Sequence, residues 1–334
     1  MGGLAAIILV WFGAPPKWAP LTLETMRWNV ELTWFIFTDQ PREAWGGSGC
    51  SPGHGTSCVA GTNVVLRPLN ASSFVHLALR ATGLDASAGV AGGGYKLCDW
   101  RMAYGEIFAR WLRRFHFWGW VDLDLFIGRL PLFGFNASTL SGVDSVGDQG
   151  WPSQGPLTLL RNAPAINRIW RDVSRVRERL ERPGIQRMNE WDFGRALLEA
   201  PEMRQRVVPW PMHLWTHARH GPEDVLWIAG RVLHLPSCGE AAYFHFSNWK
   251  DVVAASAASV VVAAPLDVVG GLGVHTEVGW SIGPGGLRPL AALSASARAR
   301  LDTCRARGAL QSGGFAPTAV SYAWDVAAGL TPER

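Results

Sequence analysis

The chain has 334 residues, of which 48% are hydrophobic and 17% charged. That composition excludes a disordered chain and leaves room for one large domain or two ordinary ones. The formal net charge of +4 is too mild, and its arginines too scattered, for a nucleic-acid binder; it fits a protein handling an anionic small molecule, or ordinary solvated helix faces.

The opening residues 1–16, MGGLAAIILVWFGAPP, lack the basic start of a signal peptide and read as a first core strand over 5–12. Gly13 to Pro16 form a turn, and Pro15 and Pro16 suit a helix start. Trp18, Leu21, Leu23, Met26 and Trp28 give a helical apolar pattern up to Asn29. A second strand is expected over 32–37, ending in Thr38 and Asp39. Strand–helix–strand predicts a parallel pair with a right-handed crossover, and ligands of such sheets bind at the carboxyl ends of the strands. Phe12, Gly13, Thr38 and Asp39 occupy those ends.

Residues 40–61 form a Gly/Ser/Pro/Cys loop. The five cysteines show no CxxC pair and no zinc spacing. Cys50 and Cys58 could pair in an oxidising compartment, but the odd count makes free thiols the default. A third strand over 63–69 and a helix over 72–82 follow. Residues 95–115 read as a helix from about Met102. Asn70 and Asn136 each begin an Asn-Ala-Ser sequon, meaningful only on a secretory route.

Residues 116–130, HFWGWVDLDLFIGRL, are the most informative stretch. They read as a buried apolar strand interrupted by Asp122 and Asp124. An unpaired buried carboxylate is expensive, so something must compensate the pair. A divalent cation is the obvious candidate, because hard ions prefer carboxylate oxygens and often hold a substrate diphosphate as well. Alternatively both aspartates share one exposed face at a strand end.

Beyond a glycine-rich loop over 140–156, a short strand is expected at 156–161 and an arginine-bearing amphipathic helix at 165–182. A hairpin turns at Ala229-Gly230 within 226–235. Residues 242–249 are a short aromatic stretch containing His245. After residue 250 the chain becomes Ala/Val/Gly-rich and low in complexity. The expected division is therefore 1–250 as a catalytic-type domain and 251–334 as an extension. The apolar segment 252–266 is too short to span a bilayer, so no transmembrane segment is expected. Of the eighteen tryptophans, most belong to the core, although aromatic faces also stack on sugars.

Taken in order, YKLCDWRMAYGEIF (95–108), FWGWVDLDLFIGRL (117–130), GPLTLLRN (155–162), NEWDF (189–193) and FHFSNWK (244–250) resemble a family of GT-A-like glycosyltransferases found in bacterial polysaccharide clusters and in algae. IILVWFGAPPKWAP through WFIFTD is similar to that family's first strand–helix–strand. The family has Lys-Pro where this chain has Arg101-Met102. The resemblance implies an α/β GT-A-like fold, a mixed, mainly parallel sheet flanked by helices. It also implies a nucleotide-diphosphate sugar donor, a glycan or other hydroxyl acceptor, and Mn²⁺ or Mg²⁺.

Carried over, Asp124 would bind the metal directly, and Asp122 would hold the ribose or the metal through water. His245 would complete the shell; its other reading is a packed core histidine. Lys250 would neutralise the leaving diphosphate or be an ordinary surface lysine. Phe12, Gly13, Thr38 and Asp39 would line the base and ribose pocket. Lys96 and Asp99 could contact the nucleotide, or Asp99 could cap a helix. Glu190 and Asp192 are the candidates for the acceptor-side base, or a helix-start carboxylate pair. The rival from another class is a non-catalytic nucleotide-sugar or carbohydrate-binding protein with the same fold. The compartment is expected to be the cytoplasm or, if an anchor or signal is missing from this chain, the Golgi lumen.

Overall fold

The computed structural model describes residues 3–45, 63–91, 94–147, 151–153, 155–201, 203, 205–206, 213–215, 223–257, 279–284 and 286–309. Cys50 and Cys58 lie outside these residues. In chain order the strands are β1 (Gly3–Trp11), β2 (Leu32–Thr38), β3 (Val64–Pro68), β4 (Phe115–Val121), β5 (Leu125–Ile127), β6 (Ser145–Val146), β7 (Leu157–Arg161), β8 (Gln205–Arg206), β9 (His213–Trp215), β10 (Val225–Ile228), β11 (Arg231–His234), β12 (Gly239–Ala241), β13 (Tyr243–His245), β14 (Gly279–Gly283) and β15 (Gly286–Pro289).

The central sheet has seven strands in the order β3-β2-β1-β4-β7-β6-β8. Its β3-β2-β1-β4 half is parallel, β7 runs antiparallel to β4 and β6, and β6 is parallel to β8. This is the mixed, mainly parallel, helix-flanked sheet expected of a GT-A-like fold. Both faces are covered, so β1 reads as a continuous apolar run rather than an alternating one. Ala6, Ile8 and Val10 pack with Phe37, Trp118 and Trp120 on one face. Ala5, Ile7 and Leu9 pack with Trp34, Ile36 and Phe117 on the other. The crossover helix Ala19–Arg27 starts behind the Pro15-Pro16 turn, with Pro20 in its first turn. The second predicted helix spans Ala71–Thr82, and the side chain of Asn70 accepts a bond from the Ser73 amide at its start. Asn136 caps the helical turn Ala137–Leu140 in the same way. Both sequon asparagines thus serve as N-caps.

Three expectations give way to structure. The run 116–130 is two strands, not one. A strand covered on both faces has no place for carboxylates; the chain leaves the central sheet after Val121, turns through Asp122 and Asp124, and β5 joins a separate sheet of order β5-β13-β9. The helix expected from about Met102 to residue 115 is a succession of short pieces, Arg101–Ala103, Tyr104–Ile107 and Ala109–Leu112. The helix expected over 165–182 is a 3₁₀ segment Ile166–Asp172 followed by Val176–Glu181, with Arg175 at φ 53° between them. Buried Ile166 and Ile169 are spaced three apart, the period of a 3₁₀ turn.

A third sheet has the order β12-β11-β10-β14-β15. The β10–β11 hairpin turns at Ala229 (φ 45°) and Gly230 (φ 80°), two positive-φ residues that match the twist of the strands. Strands β14 and β15 come from beyond residue 250, and the helix Ala295–Ala306 packs on the same sheet. Cys304 on that helix is disulfide-bonded to Cys238 after β11. The default of free thiols therefore fails for this pair; the two lie 66 positions apart, a separation that no short spacing rule detects. Among the described residues Cys98 is the free cysteine, and no helix is long and apolar enough to cross a membrane.

Gly119 illustrates how tightly the sheet is built. A Cβ there would collide with the backbone carbonyl of Thr158 on β7. Gly119→Ala is expected to destabilise the protein by about 1–3 kcal/mol, the usual cost of overpacking, read as a lowered denaturant midpoint.

Candidate active site

The carboxyl ends of β1, β2 and β4 place Phe12, Asp39 and Asp122 at one edge of the central sheet. A cavity of about 340 Å³ opens there, lined among others by Trp11, Phe12, Tyr95, Arg101, Asp122, Asp124, Glu190, His245 and Lys250.

The turn carrying the two aspartates is fixed by its backbone. The carbonyl of Leu123, between them, accepts from Trp18 Nε1 at 3.2 Å and from Thr22 Oγ1 at 2.9 Å. The Asp122 amide donates to the Pro156 carbonyl at 2.8 Å, and the Phe246 amide donates to the Asp124 carbonyl at 3.1 Å. Antiparallel pairing of β13 with β5 sets His245 opposite Leu125, one residue from Asp124. Register thus brings together two side chains 121 positions apart.

Asp122, Asp124 and His245 offer ligand atoms that all lie within 4.8 Å of one another. His245 Nε2 stands 3.3 Å from Asp124 Oδ2, and Lys250 Nζ stands 2.8 Å from the same oxygen. The Arg101 guanidinium pairs with Asp122 and donates to the Gly155 carbonyl at 2.9 Å. Burial pushes the Asp124 carboxyl up, but the hydrogen bonds and charges of His245 and Lys250 outweigh it and hold it below the usual carboxylate range. Burial works against the Lys250 ammonium, and the Asp124 charge more than offsets it, so its pKa is raised. Burial lifts the Cys98 thiol to about 11, which makes it an inert wall of the cavity. Two carboxylates and an imidazole form a mixed O/N donor set that could hold a divalent cation. The residues present fit such an ion.

Other expected site residues occupy different roles. Phe12 lines the cavity and packs edge-on against Phe74 at 6.1 Å. Asp39 Oδ1 accepts from the Gly13 amide at 2.9 Å and so shapes the turn at the end of β1, where Gly13 has φ 84°. Thr38 is buried, and its hydroxyl accepts from the Gln40 amide. Lys96 and Asp99 form a buried ion pair at 3.0 Å. Lys96 also donates to the Arg179 carbonyl, and Asp99 accepts from the Gln186 and Met188 amides. The pair fastens the segment that carries Arg187, Asn189 and Glu190 to the cavity.

Glu190 faces the cavity, whereas Asp192 is ion-paired with Arg179 at 2.7 Å and is not among the lining residues. Burial, then the neighbouring charge of Asp122, raises the Glu190 pKa above the ordinary range. The sequence reading missed Arg101, Tyr95, Arg187 and Trp18. Arg101 offered no distinct signal, because Asp99 and Glu106 in the same stretch were equally available as its partners.

No curated protein matches the chain by sequence. Among solved structures it is similar to mouse xyloside xylosyltransferase 1 in its apo form, with a TM-score of 0.40 and 12% identity, over 73% of this chain and 97% of that one. The model of a family of unknown function, DUF6625, matches residues 7–204. With more than half of its length matched, the chain belongs to the DUF6625 family.

Proposed function

We propose that the chain is a glycosyltransferase that moves a sugar from a nucleotide-diphosphate donor to a hydroxyl acceptor with the help of Mn²⁺ or Mg²⁺. The observation that carries this reading is the convergence of Asp122, Asp124, His245 and Lys250 in a cavity at the carboxyl ends of a parallel sheet. Asp122, Asp124 and His245 would hold the ion, which when bound supplies positive charge beside the leaving diphosphate. Lys250 and Arg101 add cationic groups to the same wall and stabilise charge that develops as the glycosidic bond breaks. Phe12 and the Gly13 turn shaped by Asp39 form the wall for the base and ribose. Lys96 and Asp99 act at one remove, by positioning the Glu190 segment. Glu190 accepts the proton of the attacking hydroxyl; its partly buried setting suits a carboxylate that must take a proton near neutral pH.

In a thermal-shift experiment, UDP or GDP with Mn²⁺ is expected to raise the melting temperature more than either component alone. A ligand at about 100 times its Kd adds ~2.7 kcal/mol of stability. No shift with any nucleoside diphosphate and Mn²⁺ would overturn the assignment.

A second reading, non-catalytic nucleotide-sugar binding, draws on the Arg101–Asp122 and Lys250–Asp124 pairs, which compensate both carboxylates within the protein. Turnover separates the two: hydrolysis or transfer of a UDP- or GDP-sugar with Mn²⁺ supports the enzyme, and binding without either supports the binder.

A further inference from the structure

We propose that Trp191, backed by Trp151, is a stacking platform for a pyranose ring of the acceptor, which makes the acceptor a glycan and not a simple alcohol. The inference rests on the glycosyltransferase reading above and deepens it at the acceptor side.

Among the described residues, Trp34, Trp100, Trp118, Trp120, Trp170 and Trp227 are each at most 1% exposed. Trp191 is 62% exposed. It directly follows Glu190, which lines the cavity, and itself stands outside the lining residues. Its ring lies 5.2 Å from that of Trp151, tilted by 52°. Trp151 is itself fixed, because its Nε1 donates to the Glu190 carbonyl at 3.0 Å and its ring packs over Gly194, where any Cβ would collide with it. The glycine at 194 therefore makes room for the backing indole on the helix Trp191–Glu199.

The result is an exposed indole, propped by a second tilted one, on the residue that follows the candidate base. An exposed indole gives up burial that the other tryptophans obtain. A sugar ring has an apolar C–H face on one side and hydroxyls around its rim. It can cover the indole while it presents a hydroxyl to the Glu190 carboxylate. Tyr95, a second highly exposed aromatic side chain, lines the cavity together with Lys250.

The test is calorimetric titration of the full chain with pentasaccharides of β-1,4-linked glucose, xylose, N-acetylglucosamine and mannose. At least one is expected to bind. Trp191→Ala is expected to weaken that binding about tenfold, the upper range for an aromatic contact, and Trp191→Phe to keep most of it. UDP with Mn²⁺ is expected to bind all three proteins equally. Equal pentasaccharide affinity in the parent and Trp191→Ala, or no pentasaccharide bound by the parent, would overturn the platform. Failure of the parent to bind UDP with Mn²⁺ would instead overturn the donor-site reading, and the pentasaccharide titration still decides the platform.

Discussion

In an Asp124→Asn variant, Mn²⁺-dependent binding of UDP is expected to fall by more than about 100-fold, since even residues that only orient a metal ligand are worth roughly 10–100-fold. Asp124 is the residue on which the site converges. It is 7% exposed, and its Oδ2 faces both His245 and Lys250. The amide keeps the shape and the backbone bond to Phe246 but removes the charge. Lys250 is 44% exposed at its side chain, so it can turn to water and the fold survives. His245→Gln should act in the same direction but less strongly, and weaken the metal far more than it lowers the melting temperature. Calorimetry of Mn²⁺ in the presence of UDP, paired with melting curves, checks both variants. Unchanged metal-dependent affinity in Asp124→Asn would sink the metal assignment. A large loss of stability with intact affinity in His245→Gln would make that histidine a packing residue.

Asp122 and Asp124 stand out in the sequence because carboxylates interrupt an apolar strand, whereas His245 and Lys250 enter only through the family resemblance. Carboxylates ending an apolar strand ask for a partner; a histidine between phenylalanines reads by itself as core packing. That they share one site follows from the β13–β5 register, which no local pattern encodes. Lys96 and Asp99 show the converse. Their charges made them look like ligand contacts, yet the backbone amides of Gln186 and Met188 satisfy Asp99 from 87 and 89 positions away. The helix over 165–182 failed for a related reason. Its arginines fit the polar face of an α-helix, but Arg168 and Arg171 reach Glu106 from a 3₁₀ segment. The parallel core was readable because continuous apolar strands and a proline-started crossover helix are local features. The Cys238–Cys304 link and the sheet it braces depend on contacts between distant parts of the chain.

Glu190→Gln is expected to lower transfer by roughly 10²–10⁴-fold, the range for loss of a general base, with donor affinity nearly unchanged. Donor and metal are assigned to Asp122, Asp124, His245 and Lys250, whereas Glu190 enters the cavity from the segment fastened by the Lys96–Asp99 pair. Its carboxyl is raised by burial and by the Asp122 charge. A base must be ionised to act, so activity is expected to rise with pH through this elevated pKa and to level off above it. The acid limb of kcat against pH should therefore lie above the range of an ordinary glutamate, and Glu190→Gln should flatten it. Asp192→Asn tests the competing carboxylate: paired with Arg179, it should cost stability and leave the acid limb in place. If Glu190→Gln transfers at the parental rate while Asp192→Asn does not, the two roles are exchanged. If both variants keep the parental rate and pH profile, neither carboxylate is the base, and the hydroxyl loses its proton to another group in the cavity.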